Sequence, residues 1–278
     1  MIIQRVAAFS MGNEGGNPAG VVLLDKPISD KEMARVAAEV GYSETVFAVP
    51  LDKADRNWRV RFFSPEIEIP FCGHATIALG AVLGKQQGAG IFKLTLNDAV
   101  ISVKARSSEH GSVATLSSPP TDSQAIPDDI LSEVLSLFGF GQADLDDRLP
   151  PARIHGGSDH ILLPLSKRSV LASMAYDLNS GRDLMRKLGV ATIMLLVVED
   201  DQTFVVRNAF ASGGVLEDPA TGAAAAAFGG YLRYQHWPRL GKFTIRQGED
   251  MGHPSLIEVE LDSIVGSPVH VSGATRSI

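Results

Sequence analysis

Two segments, 75–83 and 223–232, are almost wholly apolar and carry no polar face at helical spacing. A helix that is apolar all round has to be enclosed by other elements, so each segment predicts a buried central helix. Their surroundings repeat. Gly73-His74 opens the first and Gly222-Ala223 the second, 149 positions later. Upstream, the strand-like runs 58–63 and 203–208 carry Arg61 and Arg207, 146 apart. Earlier still, a helix over Ser29 to Val40 stops at Gly41 and leads into an extended run, 42–49. A helix over 183–188 stops at Gly189, 148 positions beyond Gly41, and leads into 190–197. The apolar runs 21–24 and 161–164 match at a spacing of 140. Four elements in one order at nearly constant spacing predict a duplicated α+β unit, with loop lengths supplying the drift. The turn-forming cluster 117–123 marks the break between the copies.

A length of 278 residues suits two such units, and 45% hydrophobic with 21% charged residues suits a packed globular chain. The net charge of −7 and scattered basic residues argue against nucleic acid or an anionic membrane as partner. No run approaches the length of a membrane-spanning helix, and the first residues alternate like a strand rather than a signal peptide. One cysteine leaves no intrachain disulfide, which makes a reducing cytoplasm the expected compartment. The same count removes a cysteine zinc site, and the seven histidines show no closely spaced ligand pair. No dinucleotide fingerprint, phosphate loop or nucleophile elbow occurs; Gly12 to Gly16 reads as a turn. The expectation is chemistry by side chains alone, with no metal and no organic cofactor.

Two similar halves put a site in the crevice between them, where the starts of both central helices can point. Gly73 and Gly222 stand at those starts, and free backbone N–H groups there suit an anion such as a substrate carboxylate. The same glycines also fit tight strand-to-helix turns. Glu44 stands in an otherwise apolar strand. Buried, it would have the raised pKa of a general acid/base near neutrality; by position alone, it reads more readily as an exposed edge-strand residue. Its second-half counterpart is Ile193 or Thr192. His74 reads either as a helix-cap residue or as a proton shuttle. Asp218-Pro219 reads either as part of the loop matching the one before His74 or as an ordinary helix start.

Gly16-Asn17-Pro18, Ser43-Glu44-Thr45, Arg61 to Pro65, Pro70 to Thr76, Glu217 to Gly222, Gln247-Gly248 and Met251-Gly252 occur in the order found in PhzF-like proteins of phenazine biosynthesis. The chain resembles that family from residue 9 to about residue 273. The resemblance implies a diaminopimelate-epimerase-like α+β fold: two pseudo-symmetric halves, each a mostly antiparallel strand barrel around a central apolar helix. It implies an N-terminal half over 1–118 completed by a returning segment, 266–278, and a C-terminal half over 119–265. It also implies a homodimer and a cofactor-independent isomerase acting on a small carboxylate. Glu44, His74 and Asp218 match the family's catalytic residues, with Glu44 moving the proton. Asn17, Gly73, Gly222 and Ala223 form the expected substrate-binding set.

Two positions depart from the family pattern. Ala223 stands where many relatives have a substrate-binding serine, and His253 where an arginine is expected, so the substrate is expected to differ from the phenazine precursor. Related racemases use two cysteines across the cleft. Cys72 matches the first, but the second falls within 218–220, which holds none, so Cys72 reads as a buried packing residue. Two other functions fit: an amino-acid racemase or epimerase with a non-cysteine base pair, and a catalytically silent small-molecule-binding protein on the same fold.

Overall fold

The computed structural model describes residues 1–52, 56–108, 111–239 and 241–278. The first half contains β1 (Ile3–Ala8), β2 (Asn17–Leu23), α1 (Asp30–Val40), β3 (Glu44–Asp52), β4 (Asn57–Phe63), β5 (Glu68–Ile69), α2 (Gly73–Gln87), β6 (Gly90–Thr95), β7 (Val100–Ser108) and β8 (Gly111–Ser117). The second contains β9 (Asp122–Ala125), α3 (Asp128–Phe138), β10 (Ala152–His155), β11 (Asp159–Pro164), α4 (Arg168–Ala172), α5 (Leu178–Leu188), β12 (Thr192–Asp200), β13 (Thr203–Ala209), β14 (Glu217–Asp218), α6 (Gly222–Tyr234), β15 (Lys242–Gln247) and β16 (Ser255–Glu260), and the last strand, β17 (His270–Ser277), returns to the first half. The expected helices and strands are present. The helix expected over 183–188 begins earlier, because Asp177 caps it by accepting from the Ser180 N–H.

Eight strands close on themselves in the order β1, β2, β3, β4, β6, β7, β8, β17. Two ladders are parallel, β2–β3 and β4–β6; the rest are antiparallel. The second half repeats the strand order with β11–β12 and β13–β15 as its parallel ladders, but among the described residues β9 pairs only with β10, so this second barrel stays open between β9 and β17. β17 closes the first barrel against β1 and β8, and its first residues also pair with β16. That one strand joins the two sheets.

Inside the barrels lie α2 and α6, buried from Gly73 through Leu83 and from Gly222 through Arg233. Small residues admit the enclosing strands. A Cβ on Gly80 would stand 2.5 Å from Val103 Cγ2, and one on Gly84 2.5 Å from Ala105 Cβ. Outside the barrels, α1 buries Met33, Val36, Ala37 and Val40 against Val22, Phe47 and Phe63. On the second half α3 and α5 do the same with Leu131, Val134, Leu135, Phe138 and Met185.

Arg233, in the last turn of α6, is buried to 2% exposure. Its guanidinium donates to the carbonyls of Asp262 (2.8 Å), Ser267 (2.7 Å) and Pro268 (3.0 Å). It thereby ties the central helix of one half to the segment that delivers β17 to the other. Hydrogen bonds to charged groups are worth about 1.5–3 kcal/mol each, and removing the donor strands buried carbonyls. Replacing Arg233 with Met is expected to lower unfolding free energy by about 2–4 kcal/mol, read from denaturant midpoints at unchanged m-value.

Candidate active site

The central helices meet end to end. A Cβ on Gly73 would stand 2.9 Å from the Ala223 nitrogen and 3.1 Å from both the carbonyl carbon and the Cα of Gly222. All three are backbone atoms that cannot swing away, so this position admits only glycine. The close backbone approach that glycine allows here is made by the opposite helix. Neither helix has an acidic residue in its first turn or a side-chain cap bond. Two positive dipole ends therefore face one another, and the negative groups around them come from elsewhere in the chain.

Glu44 and Asp218 are those groups. Glu44 is the first residue of β3 and pairs in parallel with Ala19 of β2. β3 lies between β2 and β4, so Glu44 is an interior residue at 4% exposure, not the edge-strand residue its position alone allowed. Asp218 ends the short strand β14 opposite Asn208, and α6 starts only at Gly222. Asp218-Pro219 is thus no helix cap. Bidentate pairs brace both approaches. Arg61 holds Glu68 at 2.7 and 2.5 Å, and Arg207 holds Glu217 at 3.0 and 2.5 Å.

His74 lies in the first turn of α2 at 4% exposure, with Nε2 3.3 Å from Glu44 Oε2. Its ring does not cap the helix. Asn17, at the head of β2, donates its amide to Asp218 Oδ1 (2.7 Å) and the Ala220 carbonyl (3.0 Å) and lies 3.1 Å from His74 Nδ1. Because an amide NH2 only donates, Nδ1 is the bare nitrogen and the imidazole proton sits on Nε2, toward Glu44. Asn17 is held by its turn. The Gly16 N–H donates to the Pro254 carbonyl at 3.1 Å, and Gly15 (φ +62°) leaves no room for a Cβ beside that oxygen.

Burial sets the charges. Desolvation, reinforced by nearby Asp218, pushes the Glu44 carboxyl up to about 7, while Ser43 and Cys72 hydrogen bonds pull it down. Desolvation pushes His74 down to about 3, so it is a neutral donor and its contact with Glu44 is not an ion pair. Asp218 rises to about 6 through burial, opposed by hydrogen bonds from Thr221 and Asn17. Cys72 is raised well above the usual thiol range by burial and by Glu44.

A one-way hydrogen-bond chain supports Asp218. Thr221 Oγ1 donates to Asp218 Oδ2 at 2.5 Å, and Gln247 Nε2 donates to that hydroxyl at 3.0 Å and to the Asp218 carbonyl at 2.7 Å. Gln247 Oε1 accepts from Asn208 Nδ2 at 3.3 Å. The Thr192 hydroxyl donates to Asn208 Oδ1 at 3.0 Å, so His160 Nδ1, 2.8 Å from that hydroxyl, must carry the ring proton. Every donor points toward the carboxylate, an arrangement in which each bond polarises the next.

These residues were not recognised as site residues in the sequence, although Gln247-Gly248 belongs to a motif noted there. The signal was polar residues at interior positions of apolar strands. The register also corrects the pseudo-symmetry. Asn208 pairs with Asp218 as Phe62 pairs with Ile69, so Thr221, not a residue within 218–220, matches Cys72. Both stand just before their helices. Ala223 matches His74, and Thr192, first residue of β12, matches Glu44. His253 is exposed and meets Ser255 through its carbonyl oxygen.

Two outcomes follow from this electrostatic arrangement. Replacing Gln247 with Leu breaks the chain one link from Asp218 and is expected to raise the Asp218 carboxyl pKa, read by ¹³C-carboxyl NMR titration. For Glu44, a folded pKa raised from 4.5 to about 7 means that the native state holds the extra proton between those values. Stability supplied by this group therefore falls as pH rises through that window. Neutral, buried His74 and His160 slope the opposite way, so the difference between variants is the informative quantity. The stability of Glu44→Gln relative to the natural protein is expected to increase from about pH 4.5 to about pH 7 and then level off, measured by denaturation at each pH.

The described part of the chain has no helix long and apolar enough to cross a membrane. The model of the phenazine biosynthesis-like protein family (PhzC-PhzF) matches residues 6–276. An uncharacterized isomerase of Deinococcus radiodurans is 32% identical over 266 residues, covering 93% of this chain and 86% of that protein. An uncharacterized isomerase of Mesorhizobium japonicum is 31% identical over 270 residues, covering 91% and 88%. Among solved structures, one described as a predicted epimerase from Pseudomonas aeruginosa superposes with a TM-score of 0.86 at 25% identity, over 99% of this chain and 96% of that one. A probable proline racemase from Agrobacterium radiobacter shares the fold, with a TM-score of 0.69 at 13% identity over 99% and 90%. With the family model spanning nearly its whole length and two half-barrels bringing Glu44, His74 and Asp218 together, the chain belongs to the phenazine biosynthesis-like protein family.

Proposed function

We propose that this protein is a cofactor-independent isomerase that moves a proton between carbon atoms of a small carboxylate, with Glu44 as the acid/base. One observation carries the reading. A carboxyl group titrating at about 7, buried at 4% exposure, has an oxygen that accepts no hydrogen bond. A buried acceptor without a donor is costly, and a substrate C–H or O–H offered to it removes that cost. A pKa near neutrality lets one group both take and return a proton. His74, neutral with its proton on Nε2, would donate to a substrate oxygen on which negative charge develops. Asp218, Asn17 and the backbone at Gly73 and Gly222 would orient the polar end. The site is closed, so substrate entry requires the halves to part at the contact of Gly73 with Gly222.

Ala223 is buried with its backbone nitrogen at the same junction, and in place of a serine hydroxyl it offers no hydrogen bond. A substrate with one polar group fewer at that end fits the site. A racemase is the second reading, favoured by Asp218, a second buried carboxyl with a raised pKa supplied from the opposite half.

The test is solvent deuterium incorporation across a panel of small carboxylates, followed by NMR. Exchange at carbon without loss of optical activity, reduced about 10²–10⁴-fold in Glu44→Gln, supports the isomerase. Its rate is expected to rise with pH through about 7 as Glu44 ionises. Exchange coupled to loss of optical activity, and lost in Asp218→Asn, favours racemisation. An unaltered rate in Glu44→Gln removes Glu44 from the chemistry, and no exchange with any candidate points to a binding protein.

A further inference from the structure

Cys72 has no role in the proposed proton transfer, yet it lies in the same cluster. Glu44, Cys72 and His74 each present a donor atom within 4.8 Å of the others, and all three side chains are buried. Cys72 Sγ is 3.4 Å from His74 Nδ1 and 4.0 Å from Nε2, while Nε2 is 3.3 Å from Glu44 Oε2. With zinc–ligand lengths of about 2.0 Å to nitrogen or oxygen and about 2.3 Å to sulfur, tetrahedral donors stand about 3.3–3.6 Å apart. Taken through one nitrogen, Nε2, the separations are 3.3 Å to oxygen and 4.0 Å to sulfur, so the sulfur has to move in by about 0.5 Å. One further detail points to a cation. Glu44 Oε2 has no hydrogen-bond donor and faces the cluster.

We propose that Glu44, Cys72 and His74 form a binding site for a thiophilic divalent cation of the zinc class, and that occupation of the site blocks proton transfer. The cation replaces the thiol proton. Sulfur releases H⁺ and bonds to the ion, Glu44 contributes a carboxylate oxygen, and the neutral imidazole contributes Nε2 while its one proton shifts from Nε2 to Nδ1. A divalent ion with one thiolate, one carboxylate and one neutral imidazole has no net charge, which suits a buried position. The fourth position is left to water. No standard ligand spacing marks the site, because Glu44 comes from β3 and the other two donors flank the first residue of α2.

The inference uses the group proposed as the base, so its test is spectroscopic and independent of turnover. Cobalt(II) is titrated into the full-length protein, and the thiolate-to-cobalt charge-transfer band is followed in the near ultraviolet. Cys72 is the sole cysteine, so any such band reports this site alone. The expected result is a band saturating at one ion per chain, release of one proton per ion in weakly buffered solution above neutrality, and displacement by zinc(II). Cys72→Ser is expected to abolish the band. Glu44→Gln is expected to weaken binding by on the order of tenfold or more, with folding of both variants checked by circular dichroism. No band in the folded natural protein overturns the site. Undiminished affinity in Glu44→Gln also overturns it, since sulfur would then bind without the carboxylate. Failure here leaves the deuterium-exchange reaction standing, and failure of exchange leaves the metal site standing.

Discussion

The end-to-end contact of α2 and α6 is the constraint on which the site depends. Gly73 rests against the backbone of Gly222 and Ala223 with no space for even a methyl group. Each helix is fixed inside its own barrel by residues buried on every side, so neither end can drift. The barrels are in turn joined through β17, which pairs with β1 and β8 on one side and with β16 on the other. The placement of the two helix starts is thereby a property of the whole chain. Whatever enters between them must separate two packed bodies.

Around that junction the protein treats two carboxyl groups differently. Asp218 accepts from Asn17 and Thr221, and Thr221 stands at the end of a chain of donors reaching back to His160. Hydrogen bonds to the charged form oppose the desolvation that raises its pKa. Glu44 has weaker support and one oxygen without a donor, and its pKa is raised further. Two buried acids are thus held in different surroundings: one accepts several hydrogen bonds, the other keeps an oxygen without a donor.

The duplication explains how this asymmetry arises on a symmetric frame. The bidentate pairs Arg61–Glu68 and Arg207–Glu217 are kept in both halves because they brace the same turn into the same helix. The positions that diverge are those at the junction: Glu44 against Thr192, Cys72 against Thr221, His74 against Ala223. In the first half these positions hold acid, thiol and imidazole. In the second, Thr192 and Thr221 become links in the hydrogen-bond chain that serves Asp218.

Periodicity and spacing alone determined the two central helices, the strands leading into them and the duplication, because an apolar segment without a polar face has to be enclosed wherever it occurs. The motifs around Glu44, His74 and Asp218 carried the family likeness, and Gly73 and Gly222 marked the helix starts. Only the tertiary structure decided that Glu44 is an interior residue, that Gly73 is required by the opposite helix, and that His253 points away to solvent. It also brought Asn17 to Asp218 across 201 positions and aligned Gln247, Asn208, Thr192 and His160 behind it. The reason is physical. A pKa and a hydrogen-bond direction depend on what surrounds a group, and here half of those surroundings come from the other copy of the repeat.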